Sequence, residues 1–336
     1  MSYRKRTTSI DVESIRLNDL QKSKRNQIVR KLKDGIYQIE MVDCPLCGEK
    51  PKTEIANKDR LNIPFQVKIC HGCGFVFTSP RMNQNSFNDF YNNEYRPLYT
   101  GSEHADESFY EEQINQGKRI INYINQCIPD FHEKEKFVLE IGCGAGGILA
   151  AFKNDGHQVL GLDIGEEYIE FGKKQGIELK NGTLESIDIE KQPDLIIYSH
   201  VMEHILDLDK EITALRETCH PNTIVYIEVP GLMNIHNAYQ GDIMKYYQNA
   251  HTYHFTLDSL QGIMSKNGFQ LISGNQFVRS IFQVGQSKVM PEEKHYNDVI
   301  QYLTKQENRL PYYGLTIPGL RNKAIKIAKR FKSLIP

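Results

Sequence analysis

Residues 137–147 read Phe-Val-Leu-Glu-Ile-Gly-Cys-Gly-Ala-Gly-Gly, and this stretch constrains the fold more than any other part of the chain. An apolar, β-prone run enters a turn rich in glycine, and Ile148, Leu149, Ala150, Ala151 and Phe152 then continue as a helix. Glycine reaches positive φ without a Cβ clash and lets a ligand approach the main chain, while free N–H groups at the helix start face it. A second β-prone run, Val159-Leu-Gly-Leu-Asp163, ends in a carboxylate suited to accept hydrogen bonds from ribose hydroxyls. The sequence predicts strand, turn, helix and strand around a pocket for an adenosine-containing cofactor.

Gly142, Gly144 and Gly147 satisfy G-x-G-x-x-G, which by itself permits a dinucleotide. Glu140, two residues before the first glycine, turns the pattern into Glu-x-Gly-x-Gly-x-Gly. That pattern resembles the first motif of the class I S-adenosylmethionine-dependent methyltransferases. Asp194-Leu-Ile-Ile-Tyr-Ser-His-Val-Met-Glu-His204 is similar to the fourth strand and following turn of the same family, a segment a dinucleotide enzyme has no reason to carry.

Around these motifs, apolar runs and helical periodicity alternate. The reading places strands near 137–141, 157–162, 176–180, 194–198, 223–229, 269–274 and 280–286, and helices near 147–155, 166–175, 208–218 and 256–267. The predicted fold is α/β, a doubly wound, Rossmann-like sheet of seven strands, with ligands at the carboxyl ends of the strands. No helix separates the last two strands, so they form an antiparallel hairpin closing the sheet. A long connection, residues 231–255, carries His236, Tyr239, Tyr246, Tyr247, His251, Tyr253 and His254 and is too aromatic for disorder.

Seven cysteines in a chain without an export signal disfavour a disulfide framework. Four form two C-x-x-C pairs, Cys44-Pro-Leu-Cys47 and Cys70-His-Gly-Cys73, each followed by glycine. Two such turns complete a tetrahedral thiolate site for Zn2+, closed to substrate and therefore structural. His71, between two ligands, reads as a bystander. Phe65–Ile69 and Phe75–Phe77 are expected as strands around the second knuckle of a small zinc-ribbon-like module.

A formal net charge of −1 argues against a general nucleic-acid binder. No apolar run approaches the roughly 18–20 residues needed to cross a bilayer, so a cytoplasmic location is expected. Leu320–Pro336 holds six basic and no acidic residues. It is expected to form a helix packed on the body, with peripheral membrane or protein contact as the alternative.

The whole pattern resembles the bacterial class I methyltransferases with an N-terminal cysteine-rich zinc module, common in sugar, surface-polysaccharide and natural-product pathways. The resemblance covers about residues 40–286. It implies a helical extension over 1–38, the zinc module over 39–85, the methyltransferase domain over 86–286 and a basic helical extension over 287–336. It also implies that Glu140, Gly142, Gly144 and Gly146 cradle the methionine part of S-adenosylmethionine, and that Asp163 binds the ribose. Ile164, Thr183 and Leu184 would flank the adenine, with His200 near the sulfonium. Tyr91 and Tyr95 are candidates to line the pocket.

Sugar C-methyltransferases of this architecture carry a Tyr-x-Glu-His run whose histidine is the base, but the matching stretch here is Gln248-Asn249-Ala250-His251. Removing an α-proton needs a positioned base and a stabilised enolate, and both supporting groups are missing. The expected reaction is therefore methyl transfer to a small polar acceptor, a sugar hydroxyl before a nucleotide-linked ketosugar carbon. His251 is the expected base, with His254, Tyr253, His204 and Glu203 as further candidates. A nucleic-acid acceptor ranks below these, because no Asn/Asp-Pro-Pro-aromatic motif is present.

Overall fold

The computed structural model describes residues 15–51, 53–101 and 106–310, so the basic segment 320–336 lies outside the described residues. After a helix over Asp19–Lys33, whose N-terminus is closed by reciprocal hydrogen bonds between Asn18 and Gln21, come five short strands. They are β1 (Ile39–Glu40), β2 (Thr53–Lys58), β3 (Pro64–Ile69), β4 (Val76–Thr78) and β5 (Arg81–Met82). Helical turns through the tyrosine-rich stretch and a long helix, Glu107–Cys127, lead into the main sheet.

There the alternation holds: β6 (Phe137–Ile141), β7 (Gln158–Asp163), β8 (Leu179–Asn181), β9 (Leu195–Ser199) and β10 (Ile224–Glu228) are separated by helices or turns. The chain then adds β11 (Tyr253–His254) elsewhere before completing the sheet with β12 (Phe269–Gly274) and β13 (Arg279–Val284). The strand order is β12-β13-β10-β9-β6-β7-β8, with β13 antiparallel to both neighbours and the other pairings parallel. Val138, Leu139, Leu195, Ile196, Ile197 and Tyr198 are fully buried, as strands covered on both faces require. Each such side chain contributes on the order of 1.5–3 kcal/mol.

The helix Glu107–Cys127 lies against the helix Gly147–Asn154 so closely that a Cβ on Gly117 would stand 2.6 Å from the Ile148 carbonyl oxygen. This contact fixes the glycine turn from behind. The expected third strand, 176–180, is shortened to β8 because Gly176 sits at φ +80 and ends the preceding helix.

The larger difference from the sequence reading concerns residues 231–255. They fold into short helical turns and then β11, a strand that periodicity did not reveal. It pairs antiparallel with β4 (Tyr253 opposite Phe77, His254 opposite Val76), giving a second sheet of order β11-β4-β3-β2. Cys44, Cys70, Cys73, Phe75 and Phe77 therefore share one apolar cluster with Leu139, Ile196 and Phe255 of the main body.

Candidate active site

At the carboxyl end of β6, Gly142, Gly144 and Gly146 have φ of +67, +56 and +73, values that side chains with a Cβ adopt at a cost. The Asp163 carboxylate ties this turn to the next one, accepting from the Gly144 N–H at 2.7 Å and the Gly165 N–H at 2.7 Å. Gln113, which the sequence reading passed over, completes the support: its Nε2 donates to the Cys143 carbonyl and its Oε1 accepts from the Gly147 N–H. Gly146 works on packing, since its Cβ would meet Ile177 and Leu179.

Glu140 is buried at 1% exposure, and its Oε2 has no hydrogen-bond partner among the described residues. Burial, with the nearby Asp163 charge, raises its pKa well above the usual carboxylate range. Ile164, just past Asp163, is 54% exposed, an unusual setting for a large apolar side chain. Thr183 is exposed and Leu184 buried, in the turn after β8. Arg96, also passed over, lies with its guanidinium 3.9 Å from the Tyr168 ring centroid and 3.8 Å from Asp163 Oδ1. A buried orphan carboxylate, a main chain free of side chains and an exposed apolar shelf beside a ribose-type carboxylate fit the ammonium, methionine and adenine parts of S-adenosylmethionine.

Beyond β9 the chain turns at His200, whose φ is +59 and whose N–H donates to the Glu228 carbonyl at 2.8 Å. This strained turn brings Glu203 inside. Glu203 is 1% exposed, and neither carboxylate oxygen has a hydrogen bond from any described residue. His200 Nδ1 lies 3.5 Å and His204 Nε2 3.8 Å from Glu203 Oε1. Desolvation opposes the charged form of His200, but the Glu203 carboxylate outweighs it and raises the pKa. Burial lowers that of His204 despite Glu203.

His251 packs its ring 4.9 Å from that of His204 and leaves Nδ1 without a hydrogen-bond partner among the described residues. Burial and the neighbouring His204 push its pKa well below the usual histidine value. Tyr91 and Tyr95 stack on each other at 4.3 Å, and each sets its ring edge-on to His204. Four sequence segments thus meet at one point: the tyrosine helix, the turn after β9, the long connection and, through Thr78, the cysteine-bearing sheet. The Thr78 hydroxyl donates to the His251 carbonyl at 2.8 Å.

Of the remaining candidates, His254 packs its ring 6.3 Å from that of His251, and Tyr253 points away. Tyr253 lies on the opposite face of β11, stacked on Phe75, and its hydroxyl donates to the Leu206 carbonyl at 2.7 Å while accepting from Arg81. His254 is enclosed by Phe65, Tyr246 and Tyr247 with both ring nitrogens unpaired, and burial lowers its pKa to about 3. The following helix is capped by Thr256.

The four cysteines of the two C-x-x-C turns come together: Cys44 Sγ lies 3.5 Å from Cys73 Sγ and Cys47 Sγ 3.4 Å from Cys70 Sγ. A disulfide would bring sulfurs to about 2.05 Å, whereas thiolates sharing one ion at about 2.3 Å stand roughly 3.8 Å apart. The spacing and the all-sulfur donor set fit zinc. His71 stacks on Tyr296 at 4.1 Å, away from coordination. His295 donates from Nδ1 to the Cys73 carbonyl and accepts at Nε2 from the Thr256 hydroxyl, linking the knuckle to the helix after β11.

Residues 110–273 match the family of methyltransferase domains. The chain is 28% identical over 116 residues to a ubiquinone biosynthesis O-methyltransferase of Rickettsia prowazekii (strain Madrid E), covering 32% of this chain and 46% of that protein. A protein of the same name from Shewanella halifaxensis (strain HAW-EB4) is 28% identical over 114 residues, covering 32% and 48%. The chain thus spans about half the length of these curated relatives. Among solved structures, the magnesium protoporphyrin IX methyltransferase of Synechocystis PCC 6803 aligns with 61% of this chain and 100% of its own (15% identity, TM-score 0.42). A SAM-dependent methyltransferase of Archaeoglobus fulgidus aligns with 49% and 75% (24% identity, TM-score 0.39). The sheet order, the glycine turn and the match over residues 110–273 together give this part of the chain an α/β methyltransferase fold.

Proposed function

We propose that the protein transfers a methyl group from S-adenosylmethionine to a hydroxyl oxygen of a small polar acceptor, a sugar in the reading favoured by the sequence. Glu140 would hold the ammonium of the methionine part, Gly142 and Gly144 would leave the main chain open to it, and Asp163 would receive the ribose hydroxyls. Bound there, the cofactor supplies an electrophilic methyl group on a sulfonium. The protein's task is to hold the acceptor oxygen in line with that methyl carbon, worth up to roughly 7–11 kcal/mol, and to take up its proton, worth about 10²–10⁴-fold.

The observation that carries the reading is the meeting of Glu203, His204 and His251 with the half-exposed His200 at the carboxyl end of the sheet, next to the strand that carries the glycine turn. Burial favours the neutral form of His251, which carries one ring nitrogen able to accept a proton, and its Nδ1 is not engaged by any described residue. Zinc on Cys44, Cys47, Cys70 and Cys73 serves the fold, because a closed thiolate shell leaves no place for substrate. O-methylation is favoured over C-methylation because the stretch before His251 lacks the tyrosine and glutamate that a carbon acid would require.

The test is His251→Ala with labelled cofactor. Turnover should fall by about 10²–10⁴-fold, with the calorimetric affinity for S-adenosylmethionine nearly unchanged. Unaltered turnover removes His251 from the mechanism. Exchange of the acceptor's α-hydrogen with deuterated solvent would favour carbon methylation.

A further inference from the structure

Glu203, His204 and His251 each offer a ligand atom, and these three atoms lie within 4.8 Å of one another. His200 Nδ1 stands 3.5 Å from Glu203 Oε1, outside hydrogen-bonding geometry, and the polar atoms that face one another here are otherwise poorly matched. A carbonyl oxygen can only accept, so the 3.0 Å contact of His204 Nδ1 with the Ala250 carbonyl places the ring hydrogen on Nδ1. His204 Nε2 then turns a lone pair toward the Glu203 carboxylate 3.8 Å away. Both Glu203 oxygens are buried without a hydrogen bond from any described residue, and His251 Nδ1 is another such buried atom. A lone pair turned toward a carboxylate out of water is unfavourable, and a cation between them relieves it.

We propose that these three residues bind a divalent first-row transition ion such as Zn2+, separate from the cysteine site. Two imidazoles and one carboxylate are a donor set that such ions take, and three protein ligands leave a position open. Donor atoms about 2.0–2.2 Å from one ion stand roughly 3.3–3.6 Å apart, so a small inward movement of the side chains completes the shell. The surroundings support it as well: the Ala250 carbonyl orients His204 from behind, as outer partners of metal-bound histidines do, and the rings of Tyr91 and Tyr95 brace it edge-on. The two clusters divide the roles that ligand chemistry allows. Four thiolates close one shell for the fold, and the nitrogen–oxygen shell keeps a position for an exchangeable oxygen ligand.

The ion's role toward the acceptor rests on the methyl-transfer reading; its binding does not. In that reading the ion holds the acceptor hydroxyl and lowers its pKa, its proton passing to solvent, while His251 acts as a ligand and not as the direct base. Loss of turnover in His251→Ala is common to both routes, so metal binding must separate them.

The experiment uses the full chain with its cysteine site filled by zinc, into which Co2+ is titrated with visible absorption as the readout. One equivalent should saturate and give weak bands without thiolate charge transfer. Glu203→Gln, His204→Ala and His251→Ala should each weaken uptake at least tenfold, with near-ultraviolet dichroism reporting that they fold, whereas His220→Ala on the far side should not. No saturable uptake, or uptake unchanged in all three variants, overturns the proposal. Calorimetry with S-adenosylmethionine on the same samples keeps the two readings apart: cofactor uptake without cobalt leaves His251 as direct base, and cobalt uptake without cofactor leaves the ion site and sinks methyl transfer.

Discussion

The glycine turn and the histidine cluster both lie at the carboxyl edge of the same sheet, yet they are assembled in opposite ways. Glu140, the three glycines and Asp163 come from 24 consecutive residues, positions 140–163, and their geometry is set by two adjacent parallel strands. Glu203, His204, His251, Tyr91 and Tyr95 come from three distant segments. The segment bearing His251 is held by a two-residue strand on the cysteine-bearing sheet. The proposed cofactor site is thus built mainly from one short stretch, and the proposed acceptor side depends on the packing of everything around it.

The strongest way to break that contrast is to remove two of the four clustered thiols that would hold zinc. A structural zinc contributes on the order of 10 kcal/mol to a small module. Cys44→Ser with Cys47→Ser should therefore loosen β4 and with it β11, abolishing turnover. Cofactor binding should suffer far less, because Glu140 and Asp163 lie on the other sheet. Limited proteolysis within 231–255 alongside calorimetry checks this, and equal loss of both functions would erase the distinction.

Glu140→Gln tests the local half. Hydrogen bonds to charged groups contribute about 1.5–3 kcal/mol, so S-adenosylmethionine affinity should drop about 10–100-fold. The thermal midpoint of the cofactor-free protein should hold or rise, since a buried carboxyl without a partner is a cost. A fall in that midpoint would mean that Glu140 is structural.

A smaller, pH-dependent effect separates His254 from the cluster. Its folded pKa of about 3 lies below the ordinary value of 6.5. Between those values the unfolded chain binds more protons than the folded one. Stability therefore rises with pH across that window and is lost as pH falls through it, by up to about 1.4 kcal/mol per pH unit for one proton. His254→Phe should flatten that part of the denaturation profile and stabilise the protein at pH 5 relative to wild type. An unchanged profile would place the acid sensitivity elsewhere.

The smallest effect is expected of Tyr253→Phe. Losing the hydroxyl that bonds to the Leu206 carbonyl should cost about 0.5–1.5 kcal/mol in urea denaturation and leave turnover within twofold. A large kinetic loss would return Tyr253 to the acceptor site.

What could be read in advance follows the same division. Helix and strand periods are local, so the bounds of β6, β7, β9 and β12 emerge within a residue or so, and the spacing of the two C-x-x-C pairs signals their convergence. Gln113 and Arg96 gave no such signal, because an amide on an ordinary helix and an arginine in an aromatic run acquire meaning only from what they touch. No helix among the described residues is long and apolar enough to cross a membrane.

The amino-acid order by itself determined the strand–helix alternation, the glycine turn with its two flanking carboxylates and the four thiols, since each depends on neighbours within a few tens of residues. Only the tertiary structure decided that β11 joins the cysteine-bearing sheet, that Tyr253 and His254 face opposite ways, and that Glu203 meets His204 and His251 with no hydrogen bond from a described residue to its carboxylate. Pairings between residues some 50 to 170 positions apart arise from burial and close packing of the whole chain, and no local period encodes them.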